Sequence, residues 1–130
     1  MKLTLLILLL ILISGCTTGN VIVENKLVLE GPFNVTKVVD GDTLEIETGE
    51  RVRFSGINTP ETGECFYQEA KDKLKEIVLG KEVFLEKDIT DQDKYKRKLR
   101  YVYLDEENLV NEILVSDGFA KVYDKNKVEC

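Results

Sequence analysis

The spacing of apolar residues changes repeatedly along the chain, and each change predicts a new element. After Met1 and Lys2, Leu3 to Ile13 form an almost unbroken apolar run that ends in Ser14-Gly15-Cys16. Phe33 to Val39 reads as a strand closed by the turn signal Asp40-Gly41. Thr43 to Glu47 alternates, with Leu44 and Ile46 on one face, and Thr48-Gly49-Glu50 turns the chain into Arg51 to Ile57, where Val52 and Phe54 share a face. From Glu64 the period lengthens: Phe66, Ala70, Leu74, Ile77 and Val78 recur at helical spacing, and Gly80 supplies a stop. Strand character returns at Lys81 to Lys87 and at Leu99 to Leu104, on either side of a charged loop from Asp88 to Lys98. Asn108 to Asp117 predicts a short helix carrying Leu109, Ile113 and Leu114 and stopped by Gly118; a last apolar piece spans Phe119 to Tyr123.

A three-stranded meander, a helix, two more strands and a short helix make an α+β chain that is mainly β. Five strands with a helix between the third and fourth suit a small closed Greek-key barrel of the OB type. With no repeat and no second composition regime, residues 32–130 form one domain. Over the whole chain, 43% hydrophobic and 32% charged residues are those of a globular protein.

The apolar run is too short to stay in a membrane. Its helix would reach about 16 Å, roughly half of a hydrocarbon core, so residues 1–15 read as a secretory signal. Ile13-Ser14-Gly15-Cys16 resembles the lipobox of prokaryotic lipoproteins, which implies cleavage before Cys16 and a lipid on its sulfur; the alternative is an ordinary signal peptide. Cleavage removes Lys2 and no acid, and leaves 17 basic against 24 acidic residues, so the anchor would be acyl chains rather than charge. Residues 16–31 then form the lipidated N-terminus and a tether reaching about 45 Å when extended; Val21-Ile22-Val23 and Leu27-Val28-Leu29 are alternatively an added strand. Outside the cytosol thiols oxidise, and Cys65 with Cys130 is the obvious pair. The bridge would close a loop of about 65 residues, worth roughly 4 kcal/mol. Two unrelated thiols are the alternative.

The chain contains no histidine, which excludes Ser-His-Asp and Cys-His centres and imidazole zinc sites. A net charge of -6 argues against holding polyanions by bulk charge. Any nucleic-acid contact needs a local patch, and Lys94-Tyr95-Lys96-Arg97-Lys98-Leu99-Arg100 supplies one. Guanidinium forks match phosphate oxygens, and Tyr95 is placed to stack on a base. Arg53, between Val52 and Phe54, should project away from the core. Read alone, the basic run is an edge strand protected by charge and Arg53 is a partner for Glu45 or Glu47. Asp40-Gly41-Asp42-Thr43 and Asn58-Thr59-Pro60-Glu61 each bring oxygen ligands suited to calcium or magnesium; each alone is more simply a turn.

Together, in order and spacing, these pieces resemble the staphylococcal nuclease (thermonuclease) family. Val39-Asp40-Gly41-Asp42-Thr43, Arg53 followed by Thr59-Pro60-Glu61, Asp93-Lys94-Tyr95 leading to Arg97, and Leu109-Val110-Asn111-Glu112 before Gly118-Phe119-Ala120-Lys121-Val122 carry the resemblance from about Phe33 to Tyr123. It implies a calcium-dependent phosphodiesterase that cuts DNA and RNA with little sequence preference and leaves 3′-phosphates. It further implies metal ligation by Asp42, by the Thr59 carbonyl and by Asn58, which stands where the family usually has a second aspartate. Glu61 corresponds to the general base, Arg53 and Arg97 to the phosphate-binding arginines, Lys94 and Tyr95 to contacts with a terminal phosphate, and Asp40 to a supporting turn residue.

Departures from the pattern carry expectations of their own. Asn58 removes one negative charge, so metal affinity should fall. Lys96 and Lys98 stand where the family often has glycines, which should stiffen the loop. The family's C-terminal helix is expected to be missing, since the chain stops soon after Tyr123, and a Cys65–Cys130 bridge would partly offset its loss. The resulting expectation is a monomeric hydrolase, lipid-anchored outside the cytoplasm through Cys16, acting on DNA and RNA without an obligate protein partner. The alternative is a noncatalytic OB-type nucleic-acid-binding or envelope lipoprotein.

Overall fold

A computed structural model describes residues 24–123. The signal-type run, Cys16 and Cys130 lie outside them. Five strands close into a barrel of the OB type: β1 (Glu30–Asp40), β2 (Thr43–Ile46), β3 (Arg51–Phe54), β5 (Glu82–Gln92) and β6 (Lys98–Tyr103), in the order β1-β2-β3-β6-β5. A short ribbon of β4 (Ile57–Asn58) and β7 (Lys121–Val122) lies beside it, with helices α1 (Tyr67–Val78) and α2 (Val110–Ser116). Neighbours in the barrel pair antiparallel except β3 and β6, whose parallel pairing of Val52 with Lys98, Arg53 with Leu99 and Phe54 with Arg100 closes the cylinder. β1 serves two neighbours by bending: register shifts between Val35 and Lys37 and between Val38 and Asp40 mark bulges that curve the strand.

Period-two alternation accounts for the core. Leu44, Ile46, Val52, Phe54, Val83, Leu85 and Val102 are buried, as are Ala70, Leu74 and Val78 of α1 and Val110 and Leu114 of α2, with α1 against β1 and α2 against β6. Each fully buried Leu or Phe contributes about 1.5–3 kcal/mol by leaving water, so these helices are held chiefly by burial.

The structure corrects the expected elements in four places. β1 begins at Glu30, ahead of Phe33, because Glu30 pairs with Leu85. β3 stops at Phe54: Gly56 takes a φ of 74°, a turn that frees Ile57 and Asn58 to pair with Val122 and Lys121. α1 starts at Tyr67, and Phe66, expected on its apolar face, is left-handed with φ 65° and 62% exposed. The charged loop is shorter than expected, because β5 runs on to Gln92 through a wide bulge in which Asp88 to Asp91 stand opposite Leu99 alone. Those bulged residues point no apolar side chain inward, so the sequence lacks the strand's alternation there.

Candidate functional site

The β1–β2 turn is pressed against two other elements. A β-carbon on Gly41 would lie 2.7 Å from Thr59 Oγ1 and 2.9 Å from Ala70 Cβ, so only glycine fits. Within the turn the Asp42 N–H donates to Asp40 Oδ1 at 3.0 Å. This geometry directs Asp42 inward, where it is only 6% exposed.

Three segments meet at that carboxylate. Its Oδ1 accepts from the Thr43 hydroxyl at 3.2 Å, its Oδ2 accepts from the Thr59 N–H at 2.9 Å, and Arg53 Nη2 stands 3.2 Å from Oδ2. Burial pushes the Asp42 pKa up to about 6, and the charge of Asp40 adds to the rise; the Arg53 guanidinium and the Thr59 N–H oppose it. The carboxylate is thus undersupplied with positive charge.

Arg53 leaves the barrel core as its alternation requires, yet its side chain is only 14% exposed. The pairing of Arg53 with Thr43 sets it beside Asp42. It donates to the Phe54 carbonyl, and through Nη2 to Asn58 Oδ1 at 2.6 Å. Glu45 and Glu47 have other partners: Arg51 at 3.6 Å for Glu45, and the Asn34 N–H and side-chain amide for Glu47.

Glu61 follows Thr59 by two residues and is exposed. Its N–H donates to Glu64 Oε2 at 2.8 Å and its carbonyl accepts from the Glu64 N–H at 2.9 Å. That exchange fixes the backbone while the Glu61 carboxylate faces solvent.

A second cluster lies between β5 and β6. Asp93 Oδ1 accepts the N–H groups of Tyr95 and Arg97, and Arg97 Nε donates to Asp93 Oδ2 at 2.7 Å. Burial works to raise the Asp93 pKa, but these hydrogen bonds outweigh it and hold the carboxyl below its ordinary range. The Tyr95 ring is flanked by the Lys94 ammonium and the Arg97 guanidinium, 5.0 and 5.4 Å from its centroid. Lys96 has φ 63°, a conformation natural to glycine, and Lys98 is drawn off to Glu50 at 2.9 Å.

The structure therefore joins Asp42, Arg53, Asn58 and Thr59 by direct contacts, with Glu61 following on the same segment. It gathers Lys94, Tyr95 and Arg97 separately, at the start of the strand parallel to β3. No hydrogen bond or ion pair links the two clusters among the described residues. Sequence reasoning assigned no role to Asp93 as the holder of Arg97; its place four residues earlier, in a tight loop, was the available signal. Arg100, buried within β6, is in the sequence indistinguishable from the rest of the basic run.

Among the described residues no cluster of three or more His, Cys, Asp or Glu side chains forms a metal cage. The oxygens gathered by Arg53 are the Asp42 carboxylate and the Asn58 amide oxygen, and the adjoining Thr59 backbone would add its carbonyl, an oxygen-only set that fits a hard cation. The raised Asp42 pKa agrees, because a cation would supply the charge that the pocket lacks.

The family model described as staphylococcal nuclease homologue matches residues 51–130, more than half of the chain. The matched stretch holds Arg53, Asn58, Thr59, Glu61 and the Lys94–Arg97 cluster, and begins after Asp42. A thermonuclease of Staphylococcus hyicus is 34% identical over 101 residues, covering 71% of this chain and 59% of the relative. A thermonuclease of Staphylococcus intermedius is 36% identical over 98 residues, covering 68% and 58%, and an endonuclease of Bacillus subtilis is 39% identical over 101 residues, covering 68% and 47%. The chain thus spans about three-fifths of the length of either thermonuclease. With a closed five-stranded barrel and the ordered set of site residues, this match makes the chain a member of the staphylococcal nuclease family.

Proposed function

We propose that this protein is a calcium-dependent phosphodiesterase that hydrolyses DNA and RNA with low sequence preference. The observation that carries the reading is the meeting of Arg53 and the Thr59 N–H at the buried Asp42 carboxylate, with Asn58 joined to it through Arg53. Asp42, Asn58 and Thr59 would hold the ion, whose charge, when bound, screens a phosphate against an incoming nucleophile.

The chain's own residues supply the remaining chemistry. The solvent-facing Glu61 carboxylate takes a proton from an attacking water as its oxygen bonds to phosphorus; the bond from phosphorus to the 5′-oxygen breaks, and that oxygen takes a proton from solvent. Arg53 exchanges its internal acceptors for phosphoryl oxygens, and Arg97, held through Nε, offers its Nη groups to the same charge. Donors aimed at charge that grows in the transition state contribute about 3–4 kcal/mol each. Tyr95, steadied by its two cations, provides a face for a base or a partner for a terminal phosphate held by Lys94.

The proposed setting is the outer face of a cell membrane, with a monomer anchored by lipid on Cys16 and needing no protein partner. A bridge from Cys65, which lies just before α1, to Cys130 would pin the C-terminus. Intact mass would gain an acyl mass on Cys16 and a two-hydrogen increment on reduction.

The test incubates the full chain with single-stranded DNA in millimolar calcium or in chelator, alongside Glu61→Gln. Calcium-dependent cleavage lost in Glu61→Gln supports the enzyme. Unchanged DNA with retained binding would favour the noncatalytic module, a reading to which the engagement of Arg53 by Asn58 lends support.

A further inference from the structure

Arg100 is 3% exposed, an unusual burial for a guanidinium. It sits on β6 opposite Phe54 of β3 and Lys87 of β5, where the β5 bulge opens. Its Nη1 donates to the Asp91 carbonyl at 3.2 Å and to the Leu99 carbonyl at 2.9 Å, and its Nη2 meets Asp91 Oδ1 at 2.9 Å. Nε stands 3.6 Å from Glu30 Oε2, an ion pair too long for a hydrogen bond. The side chain thus ties β6 to the far end of the bulge and to the start of β1.

The other side-chain contacts of the bulge among the described residues are weak. Ile89 at its tip is fully exposed, the Asp88 carboxylate accepts the neighbouring Ile89 N–H, and the Lys87–Asp91 pair spans 3.7 Å at the surface. Exposed pairs of that kind contribute little. Immediately beyond Asp91, Gln92 pairs with Lys98 and Asp93 grips Arg97. Whatever fixes Asp91 therefore fixes the base from which Arg97 is presented.

We propose that Arg100 is a positioning residue for Arg97, acting through Asp91 and the β5 bulge to hold the Asp93–Arg97 loop in its working place. Its influence on turnover rests on the nuclease reading; its influence on the loop does not. A guanidinium is suited to this task because its fork serves a carbonyl and a carboxylate at once. Lysine offers a single ammonium and would restore the link only in part.

The test compares the full chain with Arg100→Met, Arg100→Lys and Asp91→Ala by hydrogen exchange and by cleavage of single-stranded DNA in calcium. Expected is a rise of about tenfold in exchange over residues 88–97 with α1 unchanged. A fall of roughly tenfold in kcat with a smaller change in KM should accompany it, with Arg100→Lys intermediate. The effect of Arg100→Met on kcat should vanish in an Arg97→Ala background. Unchanged exchange over residues 93–97 in both Arg100→Met and Asp91→Ala would overturn the proposal, as would an undiminished kcat effect without Arg97. If Arg100→Met loosens the whole fold, the exposed Asp91→Ala decides: exchange raised only over residues 88–97 supports the assignment, and unchanged exchange refutes it. If the unmodified chain cleaves nothing, the nuclease reading fails and the exchange result alone decides the role of Arg100.

Discussion

Arg53 Nη2 lies 2.6 Å from Asn58 Oδ1, and the same nitrogen reaches Asp42 Oδ2 at 3.2 Å. One guanidinium nitrogen thus serves both side-chain oxygens that would hold a cation. Cation binding and the hold of Arg53 are on this geometry competing uses of the same two acceptors, so a bound cation would free Arg53. Asn58→Asp adds a second carboxylate, and calcium affinity rises with ligand charge. The expected result is calcium binding tighter by about tenfold or more, on the scale by which ligand charge tunes such sites, measured by titration calorimetry. Arg53→Met should also tighten binding by removing the competitor while abolishing cleavage; weaker binding in both variants would refute the competition.

Asp42 sets a pH dependence of known sign. Its ordinary pKa is 3.8, and burial foremost raises it to about 6 in the fold. The folded state therefore binds the proton more tightly than the unfolded chain, and the stability this confers is complete below pH 3.8 and lost as pH rises through 6. The loss is on the order of 3 kcal/mol at neutral pH. Asp42→Asn should accordingly raise the urea midpoint at pH 7.5 in chelator, change it little near pH 3.5, and eliminate calcium binding. A variant destabilised equally at both pH values would contradict the origin assigned to the shift.

Much of this arrangement was legible in the sequence, and the illegible parts share a cause. Leu44, Ile46, Val52 and Phe54 announce their strands because one side of each strand is buried. The β5 bulge lacks that asymmetry: Asp88 is half-buried, Ile89 to Asp91 are exposed and no apolar period runs through them, so the sequence there resembles a loop. Within the site, residue types and order pointed to Asp42, Arg53 and Thr59, but not to which acceptor Arg53 would choose. Adjacent strand positions offered Glu45 and Glu47, whereas the Gly56 turn brings Asn58 back to Arg53. Arg100 shows the same limit: in sequence it is one cation among five, and only the closure of β6 against β3 and β5 reveals it as buried.

Gly41 should prove as exacting as any charged residue. A methyl group there would meet Thr59 Oγ1 at 2.7 Å, Thr59 Cβ at 2.8 Å and Ala70 Cβ at 2.9 Å. None of these is the far end of a flexible side chain, so the turn itself must move and carry Asp42 away from the Thr59 N–H. Gly41→Ala should cost about 1–3 kcal/mol, the usual range for overpacking, and weaken calcium binding along with it. Urea unfolding and calorimetry on the same sample would check both; loss of stability with unaltered calcium affinity would mean that the turn yields without moving Asp42.

Asn111 gives the last expectation, at the point where β3 and β6 separate. After Phe54 the Ser55 N–H still bonds to the Arg100 carbonyl at 2.8 Å, but the Ser55 carbonyl turns from the sheet and accepts from Asn111 Nδ2 at 2.8 Å. Asn111 Oδ1 accepts the Val102 N–H at 3.0 Å, so one amide from α2 satisfies backbone groups of two diverging segments. Asn111 is itself buried, and water is poorly placed to replace it. Asn111→Ala leaves a buried donor and a buried acceptor unpaired, each costing about 1–3 kcal/mol. Loss of the tie at Ser55 also loosens the turn that delivers Asn58 to Arg53. The expected outcome is a loss of about 2–6 kcal/mol of stability by urea unfolding, with calcium affinity reduced in the still-folded protein. Asn111→Asp at pH 7, which keeps an acceptor for Val102 but offers no donor to Ser55, should show the fall in calcium affinity as fully as Asn111→Ala, and an unchanged affinity would refute the role of the Ser55 tie.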